Sequence, residues 1–253
     1  MTGLRGLLGA LQFLTRLPIH VTTPVPHQHV LPWFPIAGAF IGLIVGGVAA
    51  VTVDALGSTL AASLAVVTGL LVTGAFHEDG LADTADAFGG GWTREQRLEI
   101  LKDSRHGTYG VAALASSIVV RVAALAALAG PTVMVAAAVA AHVLGRVAAV
   151  GALLVLPTAV DSGLGAGSAG AARRVPVAIG MVGGVAISVG VIGWWALPAA
   201  TGAALAIGAV GTLAVRKIGG TVGDVLGAIE QVAEAAVLIV IAALAQRGEL
   251  PRW

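Results

Sequence analysis

Cysteine is absent from the 253 residues. That excludes disulfides, thiolate metal sites and a cysteine nucleophile. Charge is almost as scarce, at 11% of residues, where soluble domains average roughly 25%. Fourteen Lys and Arg and thirteen Asp and Glu are too few to cover a soluble surface on a chain of this length. No excess of either sign remains, because the formal net charge is +1. There is therefore no basic surface of the kind nucleic acid needs, and nucleic acid is not an expected partner. A cleavable signal peptide is not expected either. MTGLRGLLGALQFLTRLPIHV is an apolar run broken by Arg16 and Pro18, with no clear cleavage site.

What the chain has instead is apolar surface. Hydrophobic residues make up 57%, and the mean hydropathy is +0.95. The expectation is all-α: a polytopic integral membrane helical bundle forming one membrane-embedded catalytic domain over 1–253. Seven runs are long enough to span a bilayer, at 34–53, 59–76, 111–129, 132–155, 177–195, 198–215 and 229–246. An N-terminal interfacial helix precedes them. Ala, Gly and Val dominate the runs. Small residues let helix backbones approach closely in lipid, where packing drives association, and such faces also suit a homo-oligomer. Trp33, Trp194 and Trp195 read as aromatic-belt residues.

Loop charge gives an orientation. With the N-terminus inside, the inner segments 1–33, 77–110, 156–176 and 216–228 hold Arg5, Arg16, Arg94, Arg97, Lys102, Arg105, Arg173, Arg174, Arg216 and Lys217. The other side holds Arg247 and Arg252. That bias places the polar loops in the cytoplasm. An odd number of spans then puts the C-terminus outside, unless 216–246 is re-entrant.

The inner stretch 77–110 concentrates acid: Glu78, Asp79, Asp83, Asp86, Glu95, Glu99 and Asp103. If the helix of the second span continues through it, Asp79, Asp83 and Asp86 fall within about 60° of one another, while His77 and Glu78 point elsewhere. Three carboxylates on one stripe repel unless something neutralises them. A hard divalent cation such as Mg²⁺, held by a few carboxylates and a substrate phosphate, does so. A solvated helix end at the membrane surface is the alternative. Gly80 and Ala82 leave room for a bulky anion.

Two further stretches carry polar groups. In KDSRHGTYG, Lys102 and Arg105 suit phosphate, Asp103 suits a metal, and Gly107 and Gly110 suit a tight turn into a helix N-terminus. A positively charged inner loop is the alternative. In RKIGGTVGD, Arg216 and Asp224 stand among glycines, with Glu230 and Glu234 one turn apart beyond them. Those glutamates form a site wall, or they pair with Arg121 or Arg146 inside the bundle. Arg146, four residues after His142, is a functional candidate because an intramembrane arginine is costly. The glycine-rich segment 163–170 follows no strand, so a dinucleotide-binding reading fails.

FHEDGLADTADAFGGG, KDSRHGTYG and RKIGGTVGDVLGA followed by Glu230 and Glu234, together with LQFLTRLP and LPWFPIAGAFIG, resemble the cobalamin-5'-phosphate synthase family over nearly the whole chain. These are the adenosylcobinamide-GDP ribazoletransferases. The resemblance implies a Mg²⁺-dependent enzyme of a prokaryotic inner membrane. It would transfer the cobinamide-phosphoryl group of adenosylcobinamide-GDP to α-ribazole or its 5'-phosphate, with release of GMP. A mechanism of that kind, argued from the chemistry of the residues above, gives them expected roles. Asp79, Asp83 and Asp86, with Asp103 or Asp224, would hold the metal. Asp86 would be the general base, followed by Asp83 and then His77. Lys102, Arg105 and Arg216 would hold phosphates, with Arg146, Glu230 and Glu234 as further substrate-binding candidates. The chain departs from the pattern at Val222, where Thr is expected, and at His106, where an apolar residue is expected. The chemistry is similar to that of CDP-alcohol phosphotransferases, but Asp83 stands where their motif has arginine. A CDP-alcohol-type lipid phosphotransferase is one competing reading, and a divalent-cation or solute transporter is another. Against the transporter, the acids lie at one membrane face and no inverted repeat is visible.

Overall fold

Gly and Pro cut the apolar runs into helices. The computed structural model describes residues 2–128, 130–161 and 174–248. The glycine-rich segment 163–170, Arg173 and Arg252 lie outside them. The elements are α1 Thr2–Leu14, α2 His27–Val30, α3 Phe34–Leu56, α4 Ser58–Thr73, α5 Phe76–Gly90 and α6 Arg94–Ile100. They continue with α7 Thr108–Ala126, α8 Pro131–Val155, α9 Arg174–Ile192, α10 Ala196–Ile218 and α11 Gly223–Gln246. Among the described residues the only β pairing is an isolated bridge between Thr158 and Thr221. The chain is a polytopic membrane helical bundle.

α8 is the central post, buried almost all round from Ala136 to Gly151. Pro35 and Pro131 each begin a helix where the missing N–H costs nothing. α3 runs antiparallel along α8 through Gly38, Gly42 and Gly46. A methyl group on these would stand 2.5 Å from the His142 carbonyl oxygen, 2.6 Å from Val139 Cα and 2.7 Å from Val135 Cα. With hydrocarbon outside, close backbone packing of this kind is what holds two helices together. Gly42→Val is expected to lower stability by about 1–3 kcal/mol through overpacking, read as a lower unfolding temperature in detergent. The outer faces are apolar, with Val51, Leu71, Ile179, Val182, Leu197 and Leu205 all exposed, as a bilayer requires.

Five helical stretches are long and apolar enough to cross a membrane: His27–Leu56, α7, α8, Arg174–Ile218 and α11. α4 and α5 together make a sixth. Set against the seven expected spans, these stretches differ in two places, at the first of which the two expected runs remain two helices. The runs expected at 177–195 and 198–215 are joined by a single 3₁₀ turn, Gly193–Trp195. That junction doubles back, because Gly151 of α8 lies against both Met181 and Ile207. A straight helix would set those two residues roughly 39 Å apart. The second difference is at the expected span 59–76. It stops at Thr73, and the helix does not continue into the acidic stretch. Gly74 (φ 65°) and Ala75 (φ 56°) are both left-handed, and α5 leaves α4 at 91°. Gly takes that conformation freely and Ala does not. The guanidinium of Arg16 lies against Gly74, and its backbone N–H donates to the Val72 carbonyl at 2.7 Å. A cation there suits the free carbonyls at the end of α4.

Candidate active site

α5 sorts its polar side chains by angle even though it is a separate helix. Asp79 and Asp83 face outward, whereas His77 and Glu78 face into the bundle and are buried. His106, in the loop before α7, lies over the outward pair. Its Nε2 is 3.6 Å from Asp79 Oδ1, and its Nδ1 is 3.4 Å from Asp83 Oδ1. One ligand atom from each of the three lies within 4.8 Å of the others. Two carboxylates and an imidazole so placed can share a cation. The only sequence signal for His106 was its departure from an apolar slot.

Asp86 lies on the same stripe but its oxygens are turned elsewhere. They accept from the backbone N–H groups of Gly107 at 2.6 Å and Gly110 at 2.9 Å. These are amides of the first turn of α7, which has no internal acceptor for them. A Cβ at either glycine would collide with the carboxylate, so glycine there is what lets α7 dock. Asp86 thus anchors the loop that carries His106. Asp86→Ala is expected to cost about 0.5–2 kcal/mol as a lost cap. Amide exchange at Gly107–Gly110 should accelerate markedly, and unchanged protection there would remove this role.

Asp224 comes in from the first turn of α11. Gly80 makes the approach possible, since a methyl group on it would stand 2.8 Å from the Asp224 carbonyl oxygen. Asp224 is half-buried and close enough to Asp79 and Asp83 to interact with their charges. Asp103 is not brought into this group. It pairs at the surface with Arg105, at 2.6 Å. The Arg105 side chain and backbone N–H hold the Asp103 carboxyl down to about 2. Lys102 and Arg216 are exposed and make no ion pair among the described residues.

Beneath the stripe lies a buried ionic network that joins α5, α7, α8 and α11. Arg121 Nη1 donates to Glu78 Oε1 and Glu234 Oε1, both at 3.0 Å. Arg146 pairs with Glu230, and with Glu234 Oε2 at 3.1 Å. His142 Nδ1 is 2.8 Å from Glu234 Oε2, and His77 Nδ1 is 3.4 Å from Glu230 Oε2. Gln231 donates to Glu230 at 2.9 Å. The pairing of Glu230 and Glu234 with Arg121 and Arg146, one of the two sequence readings, is the arrangement present. Although His142, Glu230 and Glu234 also approach one another closely, the two guanidinium groups already supply the positive charge. Glu78 was passed over in the sequence because the stripe argument only placed it off the acidic face.

Arg94 and Arg97 of α6 were also missed. Arg94 Nε donates to the Ile218 carbonyl at 2.9 Å and its Nη2 to Ala159 at 2.6 Å. Arg97 Nη1 donates to the Lys217 carbonyl at 3.1 Å, and Lys217 Nζ to Phe88 at 2.7 Å. Cations on the last carbonyls of α10 are favourable. These bonds fasten the 216–224 segment over the end of α5. A capping box, Thr93 with Gln96, starts the helix that supplies them.

Comparison with known proteins gives a consistent picture. A family model described as Cobalamin-5-phosphate synthase matches residues 6–242. A Bradyrhizobium diazoefficiens protein named adenosylcobinamide-GDP ribazoletransferase is 43% identical over 240 residues, 92% of each chain. Proteins of the same name from Azorhizobium caulinodans and Shewanella woodyi are 40% and 35% identical. They cover 91% and 92% of this chain, and 92% and 93% of their own. No solved structure matches.

Proposed function

The chain belongs to the cobalamin-5-phosphate synthase family, and from that membership we propose that the outward stripe of α5 is where it carries out its transfer. The activity is that of an adenosylcobinamide-GDP ribazoletransferase, the final assembly step of the cobalamin nucleotide loop. The cobinamide phosphoryl group passes from adenosylcobinamide-GDP to a hydroxyl of α-ribazole or its 5'-phosphate. A new P–O bond forms to the acceptor, the P–O bond to GMP breaks, and the acceptor loses a proton. One observation carries the assignment: Asp79 and Asp83 are assembled with His106 at the seam of α5, α7 and α11, beside Asp224.

The carboxylates of this set fit Mg²⁺. Carboxylate oxygens are its preferred protein ligands, Asp79 is exposed and so open to substrate, and the two acids repel one another without a cation. When bound, the ion supplies positive charge to the diphosphate and to the departing phosphate. The protein's part is positional. Asp79, Asp83 and Asp224 would hold the ion. Asp86 locks the α7 loop so that His106 stays over the pair. The Asp83 carboxylate accepts the proton of the attacking hydroxyl, and His106, 3.4 Å away, carries it onward. Asp86 is not free for that role, because both oxygens are engaged by amides. Lys102 and Arg216 are uncommitted cations for phosphate, whereas Arg105 is spent on Asp103. The bias of Arg and Lys among the inner segments supports a cytoplasmic site in the inner membrane.

The test uses the full chain in nanodiscs with adenosylcobinamide-GDP and α-ribazole 5'-phosphate, with and without Mg²⁺. GMP and cobalamin phosphate are followed by chromatography. Equal, Mg²⁺-dependent release of both products is expected. Transfer that survives exhaustive chelation would overturn the metal role of the stripe.

A further inference from the structure

Phe13, Phe34 and Phe76 line a small, partly open apolar cavity at the end of the bundle that carries the stripe. The Phe13 ring stacks on Phe34 at 5.6 Å and meets Phe76 edge-on at 5.3 Å. Ala149 of α8 and Leu226 of α11 complete the walls, and His77 reaches in from α5. His77 is 5% exposed. Its Nδ1 faces Arg146 and Glu230, and its Nε2 takes no hydrogen bond among the described residues. Two imidazoles, His27 and His77, are the polar side chains of an otherwise aromatic and aliphatic lining.

Its position relates it to the carboxylates. Phe76 shares a face of α5 with Asp79 and Asp83, at i+3 and i+7, and the step from Phe76 to Asp83 is roughly 10 Å along the axis. Gly223 lines the cavity, and its neighbour Asp224 faces the stripe. A molecule with one apolar planar end in the cavity would thus carry its other end to the acids.

We propose that this cavity receives the aromatic base of the acceptor nucleoside, an assignment that rests on the transferase reading above. Benzimidazole, the ring system of ribazole, is flat, apolar and bicyclic, with one free ring nitrogen that accepts a hydrogen bond. Aromatic walls suit its faces and edges. His77, whose Nδ1 lies between Arg146 and Glu230, and His27 put imidazoles in the wall that can hydrogen-bond the ring. The base then lies buried, and its ribose extends along α5 toward Asp83. A corrinoid is too large for the cavity and a diphosphate too polar. A lipid acyl chain would fill it without using His77.

Binding is measured by calorimetry on the full chain in nanodiscs, with α-ribazole and with benzimidazole, in the absence of Mg²⁺ and donor. Both ligands are expected to bind. Ala149→Phe, which fills the cavity, and Phe76→Ala, which opens a half-exposed wall, should each weaken both by about tenfold or more. Affinity for adenosylcobinamide-GDP should be kept in both variants. Unchanged ribazole affinity in a folded Ala149→Phe protein would overturn the subsite, as would an acyl chain co-purifying in the cavity with no benzimidazole binding. Failure of the transferase reading looks different: wild-type protein would bind the base yet form no cobalamin product from donor, acceptor and Mg²⁺.

Discussion

Asp83→Asn will lower turnover by about 100-fold or more at saturating Mg²⁺, and Asp79→Asn will do so at limiting Mg²⁺. The change is isosteric, so packing on α5 is preserved and only charge and basicity are lost. Disturbing even the outer partners of a metal site costs 10–100-fold in affinity or activity, and loss of a ligand costs at least as much. The two residues should differ in kind. Asp79 is the more exposed and in the proposed mechanism only holds the ion, so added Mg²⁺ should recover part of the rate. Asp83 in that mechanism also takes the proton, so its loss should persist at any Mg²⁺ concentration. A Mg²⁺ titration of kcat and of donor KM separates the two. Glu99→Gln, on the exposed face of α6, should match wild type. Near-normal turnover of Asp83→Asn at saturating Mg²⁺ would remove Asp83 from the mechanism.

The fold was largely legible because burial in a bilayer leaves a simple trace. Long apolar runs read directly as the spans that became α3 and α8, and their small residues read as close helix packing. The break at Gly74–Ala75 was not legible. Nothing in the types Gly-Ala forces a left-handed pair, and an alanine there opposes it. The bend is held by tertiary contacts, with Arg16 lying on Gly74, and such contacts have no periodicity. The Gly193–Trp195 turn was visible only as a weak point between two runs. Its sharpness comes from α9 and α10 both packing on α8.

The site was legible as a helix face and less so as a set of directions. Period 3.6 grouped Asp79, Asp83 and Asp86 correctly on one side of α5, even though the helix was expected to begin far earlier. Periodicity cannot show that the last of these meets the bare amides of another helix. Asp103 was drawn toward the metal because it lies near in sequence, whereas Arg105, two residues on, offers a bidentate partner closer at hand. Glu230 and Glu234 illustrate a different ambiguity. Stacked acids at a span edge suit a ligand or an arginine equally, and only the burial of Arg121 and Arg146 between them decides.

Arg146→Met should be among the most damaging single changes to stability. Arg146 is 1% exposed and Glu230 is 0% exposed, so the variant leaves Glu230 with no guanidinium and Glu234 with only that of Arg121. Removing one partner of a buried pair costs about 3–5 kcal/mol, because the remaining charge is stranded without water. Neutralising the stranded group should undo much of that loss. Arg146→Met with Glu230→Gln is expected to recover at least half the lost stability, since Gln keeps the shape and its amide can bond Gln231. The recovery is measured as the coupling in a double-mutant cycle of unfolding in detergent. The consequence reaches the chemistry, because Glu78 ties the first turn of α5 to Arg121 in the same network. α5 has no straight continuation from α4 to hold it, so this ion pair and the Gly80 contact fix its direction. Arg146→Met should therefore also reduce transfer, and the double variant should restore transfer in step with stability. Recovery of stability without recovery of transfer would mean that Arg146 touches substrate, and that it does more than support the helix carrying Asp79 and Asp83.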